Sequence, residues 1–113
     1  MIEIIKLGCC PSLSGRTSLT YHVGRREEQV YIQLHGNSNG GFFCGEWVSL
    51  EHLGVEEHKP ISADSIQALF KGKSANTGGF LLAVLLKEGL VEVVNKHRYR
   101  FLDPEPFIQG VLK

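Results

Sequence analysis

Residues 61–102, ISADSIQALFKGKSANTGGFLLAVLLKEGLVEVVNKHRYRFL, decide how this chain is read. Ser62 is a good N-cap, and Asp64 places a negative charge in the first turn, where the helix dipole favours it. Ile66, Leu69 and Phe70 follow at the i, i+3, i+4 spacing of one helical face, and Gly72 ends the run. The predicted first helix covers 62–71. A polar break over 72–76 precedes a second helix over 77–88, capped by Ser74 or Thr77 and stopped by Gly89 in the usual C′ position. Residues 90–95 and 97–102 then read as the two strands of a tight hairpin.

Upstream, the apolar period switches from about four to two. Ile2, Ile4, Ile5 and Leu7 predict a first strand, and Gly8 to Gly15, with Pro11 and two serines, predict a loop. Leu19, Tyr21 and Val23 alternate with Ser18, Thr20 and His22. Val30, Ile32 and Leu34 alternate with Tyr31, Gln33 and His35. Two alternating runs around the charged turn 24–28 make an antiparallel hairpin. Phe42, Phe43, Trp47 and Val48 fit a third strand after a Gly/Asn turn. Ser49 caps a single helical turn, 50–53, closed by Gly54. Residues 55–60 are a charged connector, and Pro60 prevents a helix from starting earlier. The tail beyond Pro106 docks through Phe107, Ile108 and Val111.

The expected architecture is therefore α+β: an N-terminal antiparallel β-meander packed on a helix-turn-helix plus β-hairpin. With 113 residues, one domain with one core is expected, since two would each be marginal. Residues 1–54 form its β half and residues 61–102 its helical half. No apolar run is long enough to span a bilayer, and the N-terminus, with an early acid, is a poor secretory signal. Three cysteines, two of them adjacent, are not a disulfide framework and read as reduced thiols of a cytoplasmic protein.

The 12 basic and 12 acidic residues cancel, which argues against a protein built mainly to coat nucleic acid. Their distribution is uneven. Residues 62–102 carry six cations (Lys71, Lys73, Lys87, Lys96, Arg98, Arg100) against three acids (Asp64, Glu88, Glu92).

Helix, turn, helix and hairpin, with Lys-Glu-Gly-Leu-Val (87–91) at the junction and Arg-Tyr-Arg-Phe (98–101) in the last strand, resembles the winged helix-turn-helix superfamily over 61–102. The resemblance implies a small DNA-binding accessory or regulatory protein. Its second helix would enter the major groove by its N-terminal residues, and its hairpin wing would touch phosphates. Carried onto this chain, Lys73, Ser74, Asn76 and Thr77 would face double-stranded DNA, and Lys96, Arg98 and Arg100 would form the wing. Alternation puts Arg98 and Arg100 on one face of their strand and Tyr99 and Phe101 on the other.

One feature departs from that pattern. Phe80 to Leu86 is apolar around the whole helix, and such a helix is buried. Either the N-terminal sheet covers its second face or another subunit does. The alternative function is thus a protein-interaction module, a homodimer or one subunit of a larger assembly formed through helix 77–88. Gly78 and Gly79 permit close approach to a neighbouring helix or to a phosphate, and helix packing is the preferred reading.

Other motifs carry less. Gly72-Lys73-Ser74 lacks the upstream glycine and strand of a P-loop. Five histidines and three cysteines show no Cys-x-x-Cys or His-x-x-x-His spacing, so neither a metal site nor a cofactor is expected. Cys10 or Ser49 with a histidine makes no recognisable nucleophile–base pair, and an enzyme ranks last. Cys44 and the aromatics of 42–47 read as core. His22 and His35 fall on one polar sheet face as neighbours.

Overall fold

Alternation of apolar and polar side chains builds the N-terminal half. The computed structural model describes residues 1–38, 45–70 and 76–112. Strands β1 (Glu3–Pro11), β2 (Ser18–Arg26), β3 (Gln29–Asn37) and β4 (Val48–Ser49) form an antiparallel sheet in that order. Leu19, Tyr21 and Val23 of β2 and Val30, Ile32 and Leu34 of β3 are all buried on one face. The predicted loop from Gly8 is a misreading: Gly8, Cys9, Cys10 and Pro11 pair with Tyr21, Thr20, Leu19 and Ser18. Gly and Pro suggest a break, but Pro is tolerated on an edge strand, where its missing N–H costs no ladder bond. Of the strand expected around Phe42, Phe43, Trp47 and Val48, the described residues hold Val48 in β4 with Trp47 just before it; Phe42, Phe43 and Cys44 lie outside the described residues.

Ser49 accepts from the His52 amide and caps α1 (Leu50–Leu53), which Gly54 closes in the left-handed conformation. The connector holds a strand the sequence did not announce: β5 (Pro60–Ile61) pairs with β7 (Arg98–Phe101), which pairs with β6 (Val91–Asn95). Phe101 N–H donates to the Lys59 carbonyl at 2.9 Å and His58 N–H to the Phe101 carbonyl at 2.9 Å. Those bonds anchor the hairpin base in a second, separate three-stranded sheet.

Ser62 and Ser65 form a reciprocal capping box at the start of α2 (Ala63–Gln67), which tightens into a 3₁₀ turn over Ala68–Phe70. Helix α3 (Thr77–Lys87) ends in a Schellman motif: Leu90 N–H donates to the Leu85 carbonyl at 2.9 Å and Gly89 N–H to the Leu86 carbonyl at 3.2 Å. Gly89 takes the positive φ of 79° that this ending needs. The tail forms α4 (Glu105–Leu112), with Val111 buried and Phe107 and Ile108 packed on the core. The molecule is α+β.

Helix α3 is the centre of the single core. It packs against β1 on one side, α2 and its 3₁₀ turn on another, and β6 on a third. Leu81, Leu82, Ala83, Val84 and Leu85 are all buried. The chain's own sheet thus covers the second apolar face, with Leu86 left exposed near the end of the helix. No helix among the described residues is long and apolar enough to cross a membrane.

Candidate functional site

The winged-helix resemblance puts its site at two places, the start of α3 and the β6–β7 hairpin. At the first, Lys73 and Ser74 lie outside the described residues. Asn76 is the exposed N-cap residue of α3 but makes no side-chain cap bond. Thr77 is 0% exposed, so the expectation that it faces a ligand is corrected. The cap comes instead from the preceding helix, where Gln67 Oε1 accepts from the Gly78 N–H at 2.7 Å. That bond uses a donor a phosphate would have needed. A Cβ on Gly78 would lie 2.3 Å from the Ala63 carbonyl oxygen. The glycine serves helix packing, as preferred from sequence.

At the hairpin, Lys96 and Arg98 are exposed and, among the described residues, form no salt bridge. Arg100 is different: its Nε pairs with Glu92 directly across the strands. The predicted division of faces holds, with Phe101 buried and Tyr99 partly buried on the inner side. Of the seven predicted residues, the structure therefore presents Lys96 and Arg98 together as unpaired cations, leaves Asn76 at the far end of α3 and removes Thr77 inward.

A feature that sequence reasoning missed lies beside the hairpin. Two cavities of about 480 and 570 Å³ share Leu13 and Tyr99 as common walls. The first continues to Asp64, Lys96 and His97, and the second to Cys10, Leu86, Lys87 and Val93. Together they form one groove, floored by Leu82 and Ala83 of α3, between the β1–β2 loop and the inner face of the hairpin. Leu13 is held outward because its loop is fixed. Gly15 N–H donates to the Ser12 carbonyl at 2.9 Å, Ser12 N–H donates to the Thr17 carbonyl at 2.9 Å, and the Ser12 and Ser14 hydroxyls bond at 3.2 Å.

On the facing wall, a bulge between Val93 and Asn95 leaves Val93 and Val94 both exposed, at 56% and 53%. The Val93-Val94 doublet was the visible signal in the sequence, since a regular two-faced strand would not place two valines in a row at its solvated end. Leu13 gave no signal, because its partners are remote along the chain.

The groove is apolar between its ends, with Lys87 at one end and Lys96 together with Asp64 at the other. Glu88, next to Lys87, is engaged elsewhere: it accepts from Lys6 Nζ at 2.8 Å and from the Tyr21 hydroxyl. Burial, with the Tyr21–Glu88 bond adding to it, pushes the Tyr21 phenol well above its usual range. Burial likewise raises the Cys10 thiol at the groove wall, so it stays protonated and poorly nucleophilic. No group of three or more His, Cys, Asp or Glu side chains among the described residues converges on a metal position. Comparison with protein-family models, curated proteins and solved structures gives no match for the chain.

Proposed function

We propose that the chain is a protein-interaction module that takes an apolar peptide segment with acidic flanks into the groove between the β1–β2 loop and the β6–β7 hairpin. The observation that carries this reading is the burial of Leu81 to Leu85 in α3 together with the exposure of Leu13, Leu86 and Val93 around the partly buried Tyr99. A helix buried from Leu81 to Leu85, with its first residues Thr77 and Gly78 also buried, offers no polar face for reading bases in a major groove. A cleft of apolar side chains with a lysine at each end, Lys96 being the one beside Asp64, suits apolar anchors flanked by carboxylates. At roughly 25 cal/mol per Å² of apolar surface, covering these half-exposed side chains contributes on the order of 1 kcal/mol each.

Double-stranded DNA is the second reading, favoured by the exposed, unpaired Lys96 and Arg98. With Lys87 they would make about three phosphate contacts. Affinity would then fall only about 40-fold between 50 and 200 mM salt, far less than for proteins with six to ten contacts. Such binding is weak and independent of sequence.

Selection from a random 12-residue phage-displayed peptide library tests the choice. Enriched peptides should pair two or more large apolar residues with Asp or Glu, and Val93→Asp or Leu13→Asp should abolish their binding. Failure to enrich any peptide, alongside retention of a random-sequence DNA duplex that is lost in Lys96→Ala/Arg98→Ala, would reject the interaction reading.

A further inference from the structure

The face of the N-terminal sheet turned away from the helices carries an arrangement that the groove does not use. His22 of β2 and His35 of β3 stand side by side there, ring centroids 4.4 Å apart and planes tilted by 30°. The sequence placed them as neighbours on a polar face but gave no reason to join them in a site. The structure adds a support. Gln33 is directly opposite His22, and its Oε1 lies 3.0 Å from His22 Nδ1. The Gln33 amide nitrogen donates to the Gly45 carbonyl at 2.9 Å. That bond fixes the amide's orientation, so Oε1 can only accept and His22 Nδ1 must be the donor. In the neutral ring the lone pair is then on Nε2, at the opposite edge from Gln33.

A donated Nδ1–H and a free Nε2 is the state in which proteins hold imidazole ligands, with the outer hydrogen bond setting tautomer and ring orientation. A second imidazole beside it supplies the other donor. Two metal–nitrogen bonds of about 2.0–2.1 Å at a tetrahedral angle put the ring centroids roughly 5 Å apart, so the exposed His35 ring has to rotate outward from its 4.4 Å spacing to close the site. Imidazole donors without carboxylates suit zinc, copper and nickel rather than calcium or magnesium. Leu7 pairs with His22 on its other side, so an aliphatic side chain stands at that register.

We propose that His22 and His35 form a two-imidazole site for a borderline divalent transition metal, with Gln33 as the positioning residue. Water or a donor from a second molecule completes the coordination. The chain's single tryptophan, Trp47, reports on it, because its ring centroid is 6.3 Å from that of His22.

Titration of the full chain with nickel chloride should quench Trp47 fluorescence saturably at one equivalent, and excess zinc chloride should reverse the quenching by displacement. His22→Ala and His35→Ala should each weaken binding at least tenfold, and Gln33→Leu should weaken it by an intermediate factor. His52→Ala and His97→Ala should leave the curve unchanged. His35 is exposed, so its variant should fold, and circular dichroism checks that. The site is overturned if wild-type quenching does not saturate, or if His35→Ala binds as tightly as wild type, the mark of a single surface imidazole.

Discussion

The Tyr21 hydroxyl donates to the Glu88 carboxylate, tying the middle of β2 to the end of α3 across sixty-seven residues of sequence. Glu88 is only 6% exposed in its side chain, and Lys6 of β1 donates to its other oxygen at 2.8 Å. This carboxylate joins both halves of the chain and fixes the helix that the N-terminal sheet covers. Tyr21→Phe keeps the ring but removes a hydrogen bond to a charged group. It should cost about 1.5–3 kcal/mol of unfolding free energy, read from urea denaturation. Glu88→Ala should cost more, because it also strands the Tyr21 hydroxyl away from water.

Alkaline pH should expose the same link. Both Cys10 and Tyr21 have raised pKa values in the folded state, chiefly through burial, against ordinary values of 9.0 and 10.0. A folded acid with a raised pKa holds its proton where the unfolded chain has lost it. Its contribution is therefore fully present below the unfolded pKa and is lost as pH rises beyond it. These two groups should leave stability unchanged from neutral pH to about 9, and it should decline from there upward and steepen above 10. In Tyr21→Phe the steepening above 10 should be reduced.

Adjacent glycines at the start of α3 should respond in opposite directions. Gly78→Ala drives a methyl into the Ala63 carbonyl oxygen and the Gln67 backbone, neither of which can turn aside. A loss of about 1–3 kcal/mol is expected from overpacking. Gly79 has nothing within 4 Å of an added Cβ, so Gly79→Ala should gain about 0.5–1 kcal/mol from helix propensity. Thermal melts of the two variants check both signs. Equal effects would mean that α2 and α3 do not pack as described.

The hairpin cations should separate as well. Lys96→Ala and Arg98→Ala remove exposed charges without salt-bridge partners among the described residues, and should change stability by less than about 0.5 kcal/mol. Arg100→Ala breaks the half-exposed pair with Glu92 and should cost up to about 1 kcal/mol, less at high salt.

Much of this arrangement could be read from residues, and the failures have physical causes. The alternation of Leu19, Tyr21 and Val23 located β2 and its buried face, and Gly89 marked the end of α3, because both signals are local. The apolar run in α3 also announced that something must cover it, without saying whether sheet or subunit. Pairing was not local. Pro60 reads as a connector and becomes strand only because Arg100 lies opposite. Thr77 reads as an exposed cap but is buried, and the Gln67 side chain accepts from the Gly78 N–H. The groove arises where the Leu13 loop meets Tyr99, a juxtaposition that no spacing encodes.

The account rests on α3 being covered by its own chain, and hydrogen exchange of its backbone amides tests that most directly. The amides of Leu81 to Leu85 should be among the slowest in the molecule, exchanging only through global unfolding, at rates unchanged when the protein is diluted a hundredfold. Rapid exchange there, or protection that disappears on dilution, would show that α3 lies open in the monomer. A partner subunit or nucleic acid would then be needed to cover it.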